Sequence, residues 1–137
     1  MKATTTWTQG TASVITDNRG HEIISDIPEE KGGHDLGASA LELCLMSYSA
    51  CVNTIFNMIA KKMRIDFTAL EVDAFGFQKD GALTFTDVEI EVKVESNASD
   101  KKIESCLQNT LKTCPVGILF KQASVNTTYK IMRLQNA

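Results

Sequence analysis

The chain has 137 residues, 43% of them hydrophobic, and a formal net charge of −3. That length suits one domain, here residues 1–137, with a workable core, and the apolar content excludes a disordered chain. No long block of Lys or Arg is present, so no nucleic-acid partner is expected.

The opening stretch MKATTTWTQG has no apolar core of a signal peptide, so a cytoplasmic, reducing compartment is expected. TASVITD and HEIISDI read as short strands, separated by the turn signal NRG. The polar, Gly-rich PEEKGGHDLGAS reads as a loop. From about Leu41 to Met63 an apolar segment reads as one long helix, with the cations of AKKMR at its C-terminal end. Its stretch from Leu43 to Ala60 is about as long as a short membrane span. Ser47, Ser49, Asn53, Thr54 and Asn57 interrupt it, so a central helix covered on several sides is expected, and no membrane partner.

ALEVDAFGF and LTFTDVEIEVKVES read as two strands around QKDG, an Asp-Gly hairpin signal. Val88, Ile90, Val92 and Val94 alternate with Glu89, Glu91, Lys93 and Glu95, so one face is buried and the other wet. Ile103, Leu107 and Leu111 mark the apolar stripe of a following helix, with Asn97 or Ser99 as its cap. CPVGILFKQ reads as a second, short helix and VNTTYKIMRL as a last strand. This order defines an α+β domain.

The four cysteines are Cys44, Cys51, Cys106 and Cys114. A static disulfide framework is not expected in a reducing compartment. No CxxC pair is present, and His21 and His34 lie far from the cysteines, so neither a metal nor another cofactor is expected. Pro115 marks a helix start and puts Cys114 at the N-cap, where orphan N–H groups and the helix dipole stabilise a thiolate. The alternative is a buried core thiol, because Cys114 continues the stripe of Ile103, Leu107 and Leu111. Cys51 lies in mid-helix, and as a nucleophile it needs a nearby cation. Arg19, in a loop among the early strands, is the candidate, and an exposed turn residue is the alternative. Cys44 and Cys51 share a helical face about 10 Å apart along the axis, with Tyr48 between them. Cys44 and Cys106 are expected as core packing, the alternative for Cys44 being a spare thiol facing the same cavity as Cys51.

GGHDLGASALELCLMSYSAC and KTCPVGILF together resemble the OsmC/Ohr family of thiol-dependent peroxidases, from about NRGHEI to the last strand. The first looks like that family's Gly-rich loop, a short motif with Glu, and the helix carrying the first cysteine. The second is similar to its Cys-Pro helix start. The resemblance implies an intertwined homodimer, with antiparallel sheets around long central helices and two sites at the interface. It implies a cysteine-based hydroperoxide reductase in which Cys51 attacks an organic hydroperoxide and Cys114 resolves the sulfenic acid as a disulfide. Arg19 would lower the pKa of Cys51, and a dithiol, in some members of the lipoyl type, would re-reduce the pair.

Glu42 is the candidate for the family's arginine-holding glutamate. It stands one position late, with Leu41 in the usual place, and an ideal helix puts it opposite Cys51 unless the helix begins after it. Ala38 and Ala40 stand where prolines are usual. In these respects the chain looks closer to the less characterised OsmC-like branches. A non-catalytic module binding a small hydrophobic ligand at the dimer interface therefore stays open, as does a redox sensor.

Overall fold

The computed structural model describes residues 1–134. The chain divides into two compact units, Met1–Cys44 and the part from Leu45 onward. In the first unit, β1 (Thr4–Gln9), β2 (Ala12–Thr16) and β3 (Glu22–Ser25) form an antiparallel sheet in that order. The sequence reading missed β1. Its residues are nearly all exposed, so TTTWTQ carries no apolar alternation to give it away.

The loop after β3 is built around the buried carboxylate of Asp26. It accepts the Thr11 hydroxyl at 2.6 Å and the backbone N–H groups of Ile27, His34 and Leu36 at 2.8, 3.0 and 3.3 Å. The Thr11 hydroxyl first, and then these amides, hold its pKa down to about 2 against the effect of burial. The loop's glycines answer to space as well. A Cβ on Gly33 would lie 1.8 Å from the Ile27 carbonyl oxygen.

Helix α1 (Ala40–Lys62) follows, and its first residues close the first unit. In the second unit the sheet order is β4 (Ala69–Phe77), β5 (Asp87–Glu95), β6 (Asn126–Arg133). The alternation in β5 is realised, with Val88, Ile90, Val92 and Val94 buried and their neighbours half-exposed. These four pack with Tyr48, Val52, Phe56 and Ala60 of α1 and with Ile103, Cys106 and Leu107 of α2 (Asp100–Thr113). Burying a side chain of this size contributes about 1.5–3 kcal/mol, so this three-sided cluster carries the unit's stability.

Three features depart from the expectations. The β4–β5 connection is not a tight hairpin. LTFT stays out of the strand with Leu83 exposed, because the turn at Gly81 (φ 80) sits inside a longer loop running from residue 78 to residue 86. The sheet is not wholly antiparallel. β6 runs parallel to β5, since α2 and α3 (Pro115–Gln122) form a crossover that returns the chain in the same direction. Finally, α1 is not covered on several sides by its own chain. Its one buried stripe is Tyr48, Val52, Phe56 and Ala60, while Met46 and Met58 are about half exposed. By length and composition alone α1 would also pass for a membrane span.

Candidate functional site

Cys51 and Cys114 meet in the second unit, with the Cys114 thiol donating to Cys51 Sγ at 2.9 Å. The meeting follows from two local choices. Cys51 is next to Val52 of the buried α1 stripe and is itself half-buried. Pro115 stops α2 and starts α3, leaving Cys114 extended between them (φ −68, ψ 110) as the N-cap of α3. The Gly117 N–H donates to Cys114 Sγ at 3.4 Å, so the sulfur occupies the place of a capping oxygen.

Of the two readings of Cys114 that the sequence left open, burial outweighs the N-cap position. Cys114 is fully buried, and that burial, followed by its contact with Cys51, pushes its pKa up to about 11. The Gly117 and Val116 amides oppose this shift without cancelling it. The two readings of Cys114 therefore merge: it is a core thiol that keeps its proton and also a partner of Cys51. The buried Cys114 thiol is the donor and the half-buried Cys51 sulfur the acceptor, which leaves Cys51 as the more accessible of the pair.

Tyr48 lies one turn before Cys51, fully buried, with its ring 4.8 Å from that of Phe120. Its hydroxyl pairs with the Tyr129 hydroxyl at 3.1 Å, and burial, then Tyr129, raises its pKa far above the ordinary tyrosine value. Gly117 is closely approached by Tyr48, since a Cβ there would meet the hydroxyl at 3.0 Å. Sequence reasoning missed Gly117 and Tyr129. The first had a local signal, two residues past the Cys-Pro, whereas the second depends on a contact across 81 residues.

The other two candidates belong to the first unit. Arg19 stands in the β2–β3 turn between Asn18 (φ 62) and Gly20 (φ 103), with its side chain 76% exposed. It binds Asp17 through Nε at 2.9 Å and Nη2 at 2.8 Å, and His21 Nδ1 lies 2.7 Å from the same carboxylate. His21 first and then the Arg19 amide hold the Asp17 pKa near about 2. Glu42 lies in the first turn of α1, so the helix does not begin after it. Its carboxylate accepts the Ser39 N–H at 2.7 Å and the Ser39 hydroxyl at 2.6 Å. Ser39-Ala40-Leu41-Glu42 is thus a capping box, and these bonds lower the Glu42 pKa.

Cys106 is core, as expected. It is fully buried, donates to the Phe56 carbonyl at 3.7 Å, and burial raises its pKa to about 11. Cys44, expected in the core, is instead exposed, although it stands one turn before Tyr48 in line with the stripe that α1 buries. Among the described residues no group of three or more His, Cys, Asp and Glu is placed to hold a metal ion.

The OsmC-like protein family model matches residues 32–130, and the chain belongs to this family. Solved structures of similar fold include an OsmC-like protein from Mycoplasma pneumoniae, 17% identical with a TM-score of 0.82, covering 97% of this chain and 94% of that one. An OsmC organic hydroperoxide resistance protein from Legionella pneumophila is 13% identical with a TM-score of 0.71, covering 95% and 94%. An organic hydroperoxide resistance protein from Elizabethkingia anophelis, crystallised with thiocyanate bound, is 19% identical with a TM-score of 0.73, covering 96% and 94%. At these identities the likeness is one of fold. Among curated proteins none matches the chain.

Proposed function

We propose that the chain is a single OsmC-like domain that reduces organic hydroperoxides through a two-cysteine cycle, working in the cytoplasm as a homodimer. The observation that carries this reading is the 2.9 Å approach of Cys51 and Cys114 across 63 residues of sequence. The half-buried Cys51 sulfur attacks the terminal peroxide oxygen. The O–O bond breaks, the alcohol leaves with a proton, and Cys51 becomes a sulfenic acid. The Cys114 sulfur then attacks Cys51, its proton leaves with the hydroxyl as water, and a Cys51–Cys114 disulfide forms. An external dithiol reduces that disulfide by exchange and restores both thiols.

In this proposal Arg19 is the cation that steadies the developing charge on Cys51 and the departing oxygen. Its planar fork suits such an oxygen, and in that role it exchanges the Asp17 carboxylate, which it binds in this structure, for the reacting groups. Glu42 carries less weight. Its carboxylate is engaged at the start of α1, which favours a second reading, a non-catalytic module that binds a small hydrophobic ligand at the dimer interface.

A peroxide-consumption assay with a dithiol reductant separates the two. We expect turnover by the native chain, loss with Cys51→Ser, and loss of the disulfide but not of the first oxidation with Cys114→Ser. Arg19→Ala is expected to slow alkylation of Cys51 at neutral pH and leave the fold intact, with Arg19→Lys between the two. Turnover that survives Cys51→Ser overturns the proposal, and an Arg19→Ala rate equal to that of the native chain removes Arg19 from it.

A further inference from the structure

Residues 105–137 contain no Asp or Glu, although the whole chain is acidic. Their cations are Lys112, Lys121, Lys130 and Arg133. Acids from elsewhere in the unit take up two of these. Lys130 pairs with Glu89 at 3.0 Å, and Arg133 pairs with Asp100 at 3.4 Å. Lys112, near the end of α2, and Lys121, near the end of α3, form no ion pair among the described residues. Both line one cavity of about 500 Å³, which has no carboxylate in its wall. A concave site of that size is ordinary for a small ligand.

The rest of the wall is of two kinds. Leu111, Ile118 and Val125 give it an apolar side. Gly117, Thr127 and Tyr129 give it a polar back, where the Thr127 hydroxyl is engaged with that of Tyr48. An apolar slot with two ammonium groups that form no ion pair and no acid in its wall defines its occupant by chemistry. A neutral hydrocarbon leaves the cations unanswered. A small inorganic anion leaves the apolar side wet.

We propose that the cavity between α2, α3 and β6 binds a small amphiphile bearing one carboxylate, with the anion at Lys112 and Lys121 and the hydrocarbon along Leu111, Ile118 and Val125. This goes beyond the peroxidase reading and does not rest on it. The site nonetheless shares a wall with the thiols. Gly117 lines the cavity and donates to Cys114 Sγ, and Tyr129 lines it and pairs with Tyr48. An occupant would therefore lie against Gly117, whose amide caps the buried thiol.

The test is calorimetric titration of the intact chain with octanoate, its neutral counterpart octanol, and acetate, in the absence of any peroxide. Octanoate is expected to bind and the other two to bind at least tenfold more weakly. Exposed charge pairs are worth up to about fivefold in affinity each, so Lys112→Gln and Lys121→Gln should each weaken octanoate by about that factor, and the pair by more than tenfold. Neither lysine side chain carries a structural bond, so folding should be unaffected, and Lys101→Gln, at the far end of α2 and outside this cavity, is the control. Amide shifts on titration should centre on Ile118 and Val125. Equal affinity for octanoate and octanol, undiminished octanoate binding by the double variant, or shifts centred elsewhere overturns the proposal. Reduction of the neutral tert-butyl hydroperoxide should be the same in both lysine variants, so the fate of the peroxidase reading is read separately.

Discussion

Mild oxidation should join Cys51 to Cys114, and the consequence for stability can be worked from their positions. The sulfurs lie 2.9 Å apart in the reduced chain and a disulfide needs about 2.05 Å, so a small shift of Cys114 away from the Gly117 amide is sufficient. The bond closes a loop across 63 residues. Chain entropy alone then favours the oxidised fold by about 4 kcal/mol at 25 °C. For a chain of this size that corresponds to a rise in the unfolding midpoint of roughly 14 °C. The assay is one equivalent of cumene hydroperoxide, alkylation of the remaining thiols, peptide mapping by mass spectrometry, and thermal unfolding of both forms. Cys114→Ser supplies the internal control. Serine is among the better N-caps, so its hydroxyl should keep the Gly117 bond and the start of α3, while Cys51 now stops at a sulfenic acid that dimedone traps. A map that shows Cys51 joined to Cys44, or Cys51 carried to the sulfinic acid with Cys114 still alkylatable, refutes the reasoning.

The elements that were legible in the sequence are those whose signal is local. The Val88–Val94 alternation names a half-buried strand wherever that strand goes. The Cys-Pro at 114–115 names a helix start from proline's geometry alone. The site was only half legible for the same reason. That Cys114 caps α3 follows from its neighbours. That its sulfur reaches Cys51 depends on α1 and α2 burying their stripes against the same sheet. Its raised pKa depends on how completely they do so, and burial outweighs the cap. Ser39-Ala40-Leu41-Glu42 was a readable capping box that a functional reading of Glu42 obscured. The parallel β6 was also within reach, since a helical crossover rather than a hairpin separates it from β5.

Further outcomes follow from the same contacts. The fold favours protonated Cys114, so that contribution is intact at neutral pH and fades as pH rises through about 11. Iodoacetamide should accordingly leave Cys114 alone at pH 8 and modify it as pH approaches 11, as followed by mass spectrometry. Asp26 has the opposite sign: its carboxylate is depressed to about 2 from 3.8, so its stabilisation is full above pH 4 and is lost as pH falls from about 4 to 2. Asp26→Asn should flatten that acid limb in pH-dependent unfolding of the chain. Ser39→Ala should cost about 1 kcal/mol by denaturant titration, because it removes the capping hydroxyl and Glu42's partner together. The last outcome concerns what lies against α1. Its 18-residue apolar window has a mean hydropathy of 1.4, yet only 22% of that window is buried by the chain itself. Met46 and Met58 stand about half exposed beside the buried stripe. An apolar helix face left to water in this way is a site of association, and the proposed dimer supplies a second α1 to cover it. Burial of a methionine contributes about 1.5–3 kcal/mol, and a carboxylate in its place adds a desolvation penalty in both copies. Met58→Glu should therefore shift the chain from dimer to monomer in sedimentation at micromolar concentration, with the Val52–Phe56–Ala60 stripe and the helical content of the second unit retained. A native chain that sediments as a stable monomer at that concentration removes the dimer, and with it the reason for a helix this apolar to show so much of itself.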